Sequence, residues 1–205
     1  MSMEQLRVLY KELEIIEPYA FAEYLLSNGN MYPEIFSESE LSEFEEETKI
    51  ILPSGYRDFC KVFGSGCFGD DFLAIHCPSK FWVESMSPSK RSSITESLQS
   101  SQETLQSTYL KSLELINSAF VFGGQDYFSL FWDLRTYRKS DDSYDIYWAL
   151  DEPYNGEIYN VGRDFSMFVR DFCLGDDLLN KLPPEFHEHM TEISSVFTHY
   201  PRFNM

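Results

Sequence analysis

Two stretches in the middle of the chain alternate apolar with polar residues, and this pattern constrains the fold more than any other. Over residues 127–134, Phe128, Leu130, Trp132 and Leu134 fall on one side, while Ser129 and Asp133 fall on the other. Successive side chains of a strand point to opposite faces, so this period belongs to a sheet. Residues 145–150 repeat it through Ile146, Trp148 and Leu150, with residues 138–143 as a polar turn between the two. Asn155-Gly156 is a hairpin signal, because both residues accept positive φ, and it leads into a strand over residues 157–161. Residues 72–77, bounded by Asp70-Asp71 and Pro78, and residues 120–122, ahead of a Gly123-Gly124 turn, complete a set of about five strands.

Helices flank these strands. Ser37-x-x-Glu40 has the capping-box form and precedes Leu41, Phe44, Thr48 and Ile51 at helical spacing, with Glu43, Glu45, Glu46 and Glu47 largely on the other face. Pro53 opens a second helix, where its missing N–H is harmless, and Tyr56, Phe59, Cys60 and Phe63 follow at i, i+3, i+4, i+7. That helix stops at Gly64-Ser65-Gly66. Asp164 caps another, with Phe165, Phe168, Val169 and Phe172 on one face. The first thirty residues read as two short helices, one through Leu6, Tyr10, Leu13 and Ile16 and one ending at Asn28-Gly29. Residues 79–91, rich in Ser and Pro, read as a loop, and Ile94, Leu98, Leu105, Leu113 and Ile116 mark a polar helical segment. In the tail, residues 185–197 form a possible short helix. A chain of 205 residues with 43% apolar and 17% aromatic side chains suits a folded domain with a full core.

The ordered set resembles the SUKH superfamily, the Smi/Knr-type domain. The carrying segments are Ile51 to Phe59 with Phe63-Gly64-Ser65-Gly66, then Phe120-Val121-Phe122-Gly123-Gly124-Gln125 with the aromatic strand to Leu134, then the hairpin strand from Ile158 into the Asp-capped helix ending at Phe172. The expected fold is α+β, a twisted, mostly antiparallel sheet of about five strands flanked by helices. Residues 1–36 form an N-terminal helical extension, 37–175 the SUKH-like domain, and 176–205 a tail, part of the same globule or partly flexible. The resemblance implies a binding domain without catalysis. Bacterial members are commonly immunity proteins that neutralise toxins of polymorphic toxin systems, many of them nucleases. Fungal relatives are regulatory scaffolds that act through protein contacts.

Tests for chemistry support that expectation. Gly64-Ser65-Gly66-Cys67-Phe68-Gly69 matches G-x-G-x-x-G, but the dinucleotide motif needs a strand before it and a helix after it, and here the order is reversed. His187-Glu188-His189 lacks the i, i+4 spacing of a zinc helix, and His76 sits in an apolar strand where a satisfied core histidine is expected. Cys60, Cys67, Cys77 and Cys173 form no C-x-x-C pair and read as reduced, mostly buried thiols. The expectation is no enzyme, no catalytic residue, no metal and no cofactor.

The formal net charge is −18, from 16 basic and 34 acidic residues. That excludes a nucleic-acid binder, which needs clustered Lys and Arg, and disfavours an anionic membrane surface. It favours a basic partner, or simply serves solubility; joined to what the resemblance implies, it makes the expected partner a cognate protein toxin, met by an acidic, aromatic-bearing surface. Its candidate residues are Asp70, Asp71, Asp133, Asp141, Asp142, Tyr144, Asp145, Tyr147, Asp151, Glu152 and Tyr154. The charged start and the lack of a long apolar run point to a cytoplasmic protein. Nothing in the sequence sets an oligomeric state.

Overall fold

In the computed structural model the alternating segments pair side by side. The structure describes residues 14–16, 34–68, 73–100, 106–125, 127–150, 158–174, 177–184, 187 and 196–200. The strands are β1 (Glu14–Ile16), β2 (Gly66–Phe68), β3 (Leu73–Ile75), β4 (Ala119–Gln125), β5 (Phe128–Asp133), β6 (Ile146–Leu150), β7 (Ile158–Gly162) and β8 (Val196–His199). Strands β2 to β7 form an antiparallel meander in chain order. Strand β8 adds to β2 antiparallel, and β1 adds to β8 parallel. The fold is therefore α+β with a mostly antiparallel sheet. It holds more strands than the five expected, because a three-residue strand follows the glycine stop and both flanking segments contribute one.

The helices are α1 (Glu38–Thr48), α2 (Ser54–Val62), α3 (Ser87–Ser100), α4 (Gln106–Asn117), α5 (Phe165–Met167, continuing as a wider turn over Phe168–Cys173) and α6 (Asp177–Lys181). Two apolar layers sandwich the sheet. On one face Leu41, Phe44, Tyr56, Phe59, Phe165, Phe168 and Phe172 pack against Phe122, Leu130, Trp132, Ile146 and Trp148. On the other, Trp82, Ile94, Leu98 and Ile116 pack against Ala119, Val121, Phe131 and Ala149. Phe131 thus explains the imperfect alternation of β5: its face is covered by the α3–α4 pair. All six residues of β5 are buried.

Local signals behave as their chemistry requires. Ser37 and Glu40 form a reciprocal capping box, and Asp164 accepts from the Met167 N–H at 2.7 Å. All four cysteines are buried thiols, and none is in a disulfide. Four local expectations are corrected. Glu14–Ile16, expected to be helical, is a strand because β8 offers it a pairing edge. The segment from Lys80 is helical, not a loop. Its Pro88 has no N–H to give, and the turn before it, Trp82–Met86, is widened so that the Ser87 N–H bonds five residues back to the Trp82 carbonyl. Val196–His199, which overlaps the last two residues of the helix expected over 185–197, is a strand whose Phe197 fills an aromatic pocket. Gly123-Gly124 is not a turn but lies within β4, where the register shifts against β5 between Val121 and Gly123. The Asn155-Gly156 hairpin, and the first helices apart from residues 14–16, lie outside the described residues.

Gly124 has φ +132°, and a Cβ there would lie 2.3 Å from the Phe128 carbonyl oxygen. Gly162 has open space around the same position. Gly124→Ala is therefore expected to destabilise the fold by on the order of 1–3 kcal/mol, while Gly162→Ala changes stability by less than about 1 kcal/mol. Chemical denaturation of both variants checks the contrast, and equal effects would refute the assignment of Gly124 to a backbone position that only glycine fits.

Candidate functional site

The acidic residues converge where the β5–β6 connection meets the start of α2. Helix α2 begins after Pro53, which offers no side-chain cap. Asp142, far along the chain, supplies one: its Oδ2 accepts the Ser54 N–H at 2.7 Å, while Oδ1 accepts the Tyr137 hydroxyl at 2.8 Å. The first N–H groups of a helix lack partners and carry partial positive charge, so a carboxylate is stabilised there. Asp142 holds a left-handed backbone with φ 47°, which short polar side chains tolerate. Burial alone would raise its carboxyl, but the Ser54 N–H, the Tyr137 hydroxyl and the Arg57 charge outweigh that and hold it below its ordinary 3.8. Tyr137 is pushed up to about 12, by burial first and then by Asp142.

Arg163, just past β7, organises the rest of the connection. Its guanidinium donates to the Thr136 carbonyl at 2.6 Å and the Ser143 carbonyl at 3.4 Å, and it pairs with Asp145. Asp141 lies 3.6 Å from the same guanidinium and 3.9 Å from Arg138. The Asp145 N–H donates to the Thr136 hydroxyl at 2.8 Å. Asp141, Asp142 and Asp145 are therefore brought together, but as members of an ion network. Beside it, Arg57 joins α2 to Glu38 and Glu45 of α1, and Lys61 adds a contact to Glu38 at 3.0 Å.

The other candidates occupy different settings. Asp133 is buried and accepts from the Ser118 hydroxyl at 2.7 Å and from Arg135 at its backbone N–H, Nε and Nη2. Those bonds overcome burial and keep its carboxyl below 3.8, so it serves the turn after β5. Tyr144 is buried and stacked on Trp132 at 5.5 Å, and burial pushes its phenol up to about 12. Tyr147 is half-buried on the opposite face, stacked on Phe131 at 5.6 Å. Asp70, Asp71, Asp151, Glu152 and Tyr154 lie outside the described residues. Sequence reasoning missed Arg163, Ser54 and Arg57, because a cation that serves carbonyls far along the chain leaves no local pattern. It also left out of the candidate surface the exposed α1 glutamates Glu43, Glu46 and Glu47, whose spacing did place them on a polar face.

Next to the network the surface carries apolar side chains. Gly55 packs so closely on α5 that a Cβ would lie 2.4 Å from the Ser166 hydroxyl. Met167, adjacent to Ser166, is 53% exposed, and Ile51, just before α2, is 46% exposed. The arrangement is thus a rigid charged rim with apolar contact points.

The glycine motif offers no phosphate cradle. Helix α2 precedes it, Gly64 takes φ 72° to end that helix, and β2 follows. His76, just past β3 and half-buried, is stacked on Trp82 at 3.6 Å, and burial together with the Lys90 charge lowers it to about 3, so it is a neutral histidine packed beside the core. The His187 Nε2 lies 2.8 Å from the Leu182 carbonyl, while Glu188 and His189 lie outside the described residues. Among the described residues no group of three or more His, Cys, Asp or Glu is placed to hold a metal ion, and no helix is long and apolar enough to cross a membrane.

Removing the Asp142 cap with Asp142→Ala is expected to cost about 1 kcal/mol. Because its folded value lies below its unfolded one, the carboxylate stabilises above the unfolded value, and that contribution fades as pH falls through the folded value. Asp142→Asn should therefore lose stability near neutrality and show a shallower acid decline below about pH 4. Urea titrations between pH 2 and 7 measure this, and parallel curves for variant and parent would contradict it.

Comparison with curated proteins and with solved structures gave no significant match. A family model does match, over residues 35–171, from the segment just before α1 to the wide turn of α5. That span contains most of both apolar layers, the meander β2–β7 and the Asp142–Arg163 network. The family is one of protein-interacting domains, and membership fits a domain without catalysis of its own. On that match, which covers more than half of the 205 residues, the chain belongs to the SMI1/KNR4 family (SUKH-1).

Proposed function

We propose that this chain is a cytoplasmic immunity protein that neutralises a cognate, basic toxin, most simply a nuclease, by masking its active site. Family membership together with the −18 net charge carries this reading. An acidic surface competes for the site where a nuclease holds phosphate, and charge complementarity speeds encounter. The contact surface in this reading includes Asp141, Asp142 and Asp145, with Asp70, Asp71, Asp151, Glu152 and Tyr154 added from outside the described residues. Ile51 and Met167 supply the apolar anchors that binding rims surround. Asp133 and Tyr144 act from behind, shaping the turn, while Tyr147 packs on the opposite face of the sheet.

Co-expression with the toxin encoded beside it is expected to rescue growth. Folded protein that gives no rescue would favour regulatory scaffolding, the other known mode of Smi/Knr-type domains. Asp141 is the exposed carboxylate of the turn that caps nothing, so Asp141→Lys tests the surface without disturbing α2. Its association rate with the toxin is expected to drop ~3–10-fold at low salt, with the difference shrinking as salt rises. Identical rates at every ionic strength would remove this turn from the interface.

A further inference from the structure

Strand β7 ends the sheet order, and among the described residues it pairs with β6 alone. The outer edge of such a strand offers backbone groups to any strand that approaches. Two features interrupt this edge. The β6–β7 register shifts between Ile146 and Tyr147, which leaves Val161 as an extra residue between Asn160 and Gly162. A bulge of this kind bends the strand and breaks the spacing of its ladder. The carbonyl of that same Val161 then accepts the Lys181 ammonium at 2.7 Å. Lys181 ends α6, where its ammonium also lies 3.2 Å from Asp177 one turn earlier, and the neighbouring Leu182 is buried in the front layer. The ammonium is thus held from two sides, over the bulge. The family match ends at residue 171, so this lysine comes from the segment beyond it.

We propose that Lys181 guards the β7 edge: by occupying the Val161 carbonyl it keeps a second copy of this chain from adding its own β7 there. A second copy is the strand excluded because a two-fold axis through Asn160 sets two β7 edges antiparallel, each meeting its own counterpart. Repulsion between two chains of net charge −18 also opposes that approach, but salt screens it, whereas the capped carbonyl blocks pairing at contact distance. The two effects part when the lysine is removed. Losing a positive charge makes the chain more negative, so charge alone predicts less association, while loss of the guard predicts more. This role is independent of the toxin-binding reading.

The test uses the whole chain and the variant Lys181→Met, which keeps the aliphatic stem and drops the donor. Sedimentation velocity over a series of protein concentrations, at about 0.5 M salt to screen repulsion, reads association, and near-ultraviolet circular dichroism reads the fold. Lys181→Met is expected to associate at a protein concentration ~10-fold lower than the parent, the scale of one charge-assisted hydrogen bond. Location is read by crosslinking. Asn160 is exposed and the four native cysteines are buried. Asn160→Cys in the Lys181→Met background is therefore expected to be joined to its own copy by a short bismaleimide, and Asn160→Cys alone is not. A folded Lys181→Met that associates no more than the parent overturns the guard. Association without the crosslink at 160 puts the contact elsewhere and overturns the edge. Loss of the fold in Lys181→Met, with Lys181→Arg still folded, makes the lysine a structural contact and overturns the proposal as well.

Discussion

The rings around Tyr56 join the layers of this molecule. Tyr56 projects from α2, fully buried, with its ring edge-on to Trp132 of β5 at 4.8 Å and to Phe165 of α5 at 5.1 Å. Its hydroxyl donates to the His76 carbonyl just past β3 at 2.5 Å. One side chain therefore fixes the second helix of the family match, the strand β5 and the helix that closes the match. Aromatic pairs in this geometry add to what area burial alone contributes. Burial also keeps the phenol neutral, so the hydrogen bond does not depend on pH in the range where the protein folds. The Asp142 cap, the Gly55–Ser166 contact and the Arg57 ion pairs all sit around this helix.

Much of this was legible from residue spacing. The period of two in β5 and β6, the capping box at Ser37, the Asp164 cap and the aromatic face of α5 are local signals, and local physics decides them. The misreadings share a different cause. Gly123-Gly124 was expected to turn because glycine permits positive φ, yet here the pair stays in the strand just after the bulge, where Gly123 lies against Ala74 and Gly124, at positive φ, against Phe128. Ser and Pro around residue 88 disfavour a helix, but the face bearing Trp82, Ile94 and Leu98 covers the back of the sheet, and packing overrides propensity. Strand β8 and Glu14–Ile16 take their structure from each other and from β2, which no short window of sequence contains.

The candidate site divides in the same way. That acidic residues collect in the 138–145 connection is visible in the sequence. That Asp142 serves a distant helix, that Arg163 threads the connection, and that Asp133 and Tyr144 face inward follow only from the three-dimensional arrangement. Several of the 34 acidic side chains are thus engaged within the fold, holding loops by ion pairs, and the exposed Glu43, Glu46 and Glu47 of α1 contribute to the outer field.

The Asp142 carboxylate at the head of α2 has one more consequence. Helix starts are natural seats for phosphate groups, because their amides and dipole favour negative charge. Here an anion belonging to the protein already sits there, so a nucleotide or polyphosphate approaching α2 meets repulsion where most helices would offer attraction.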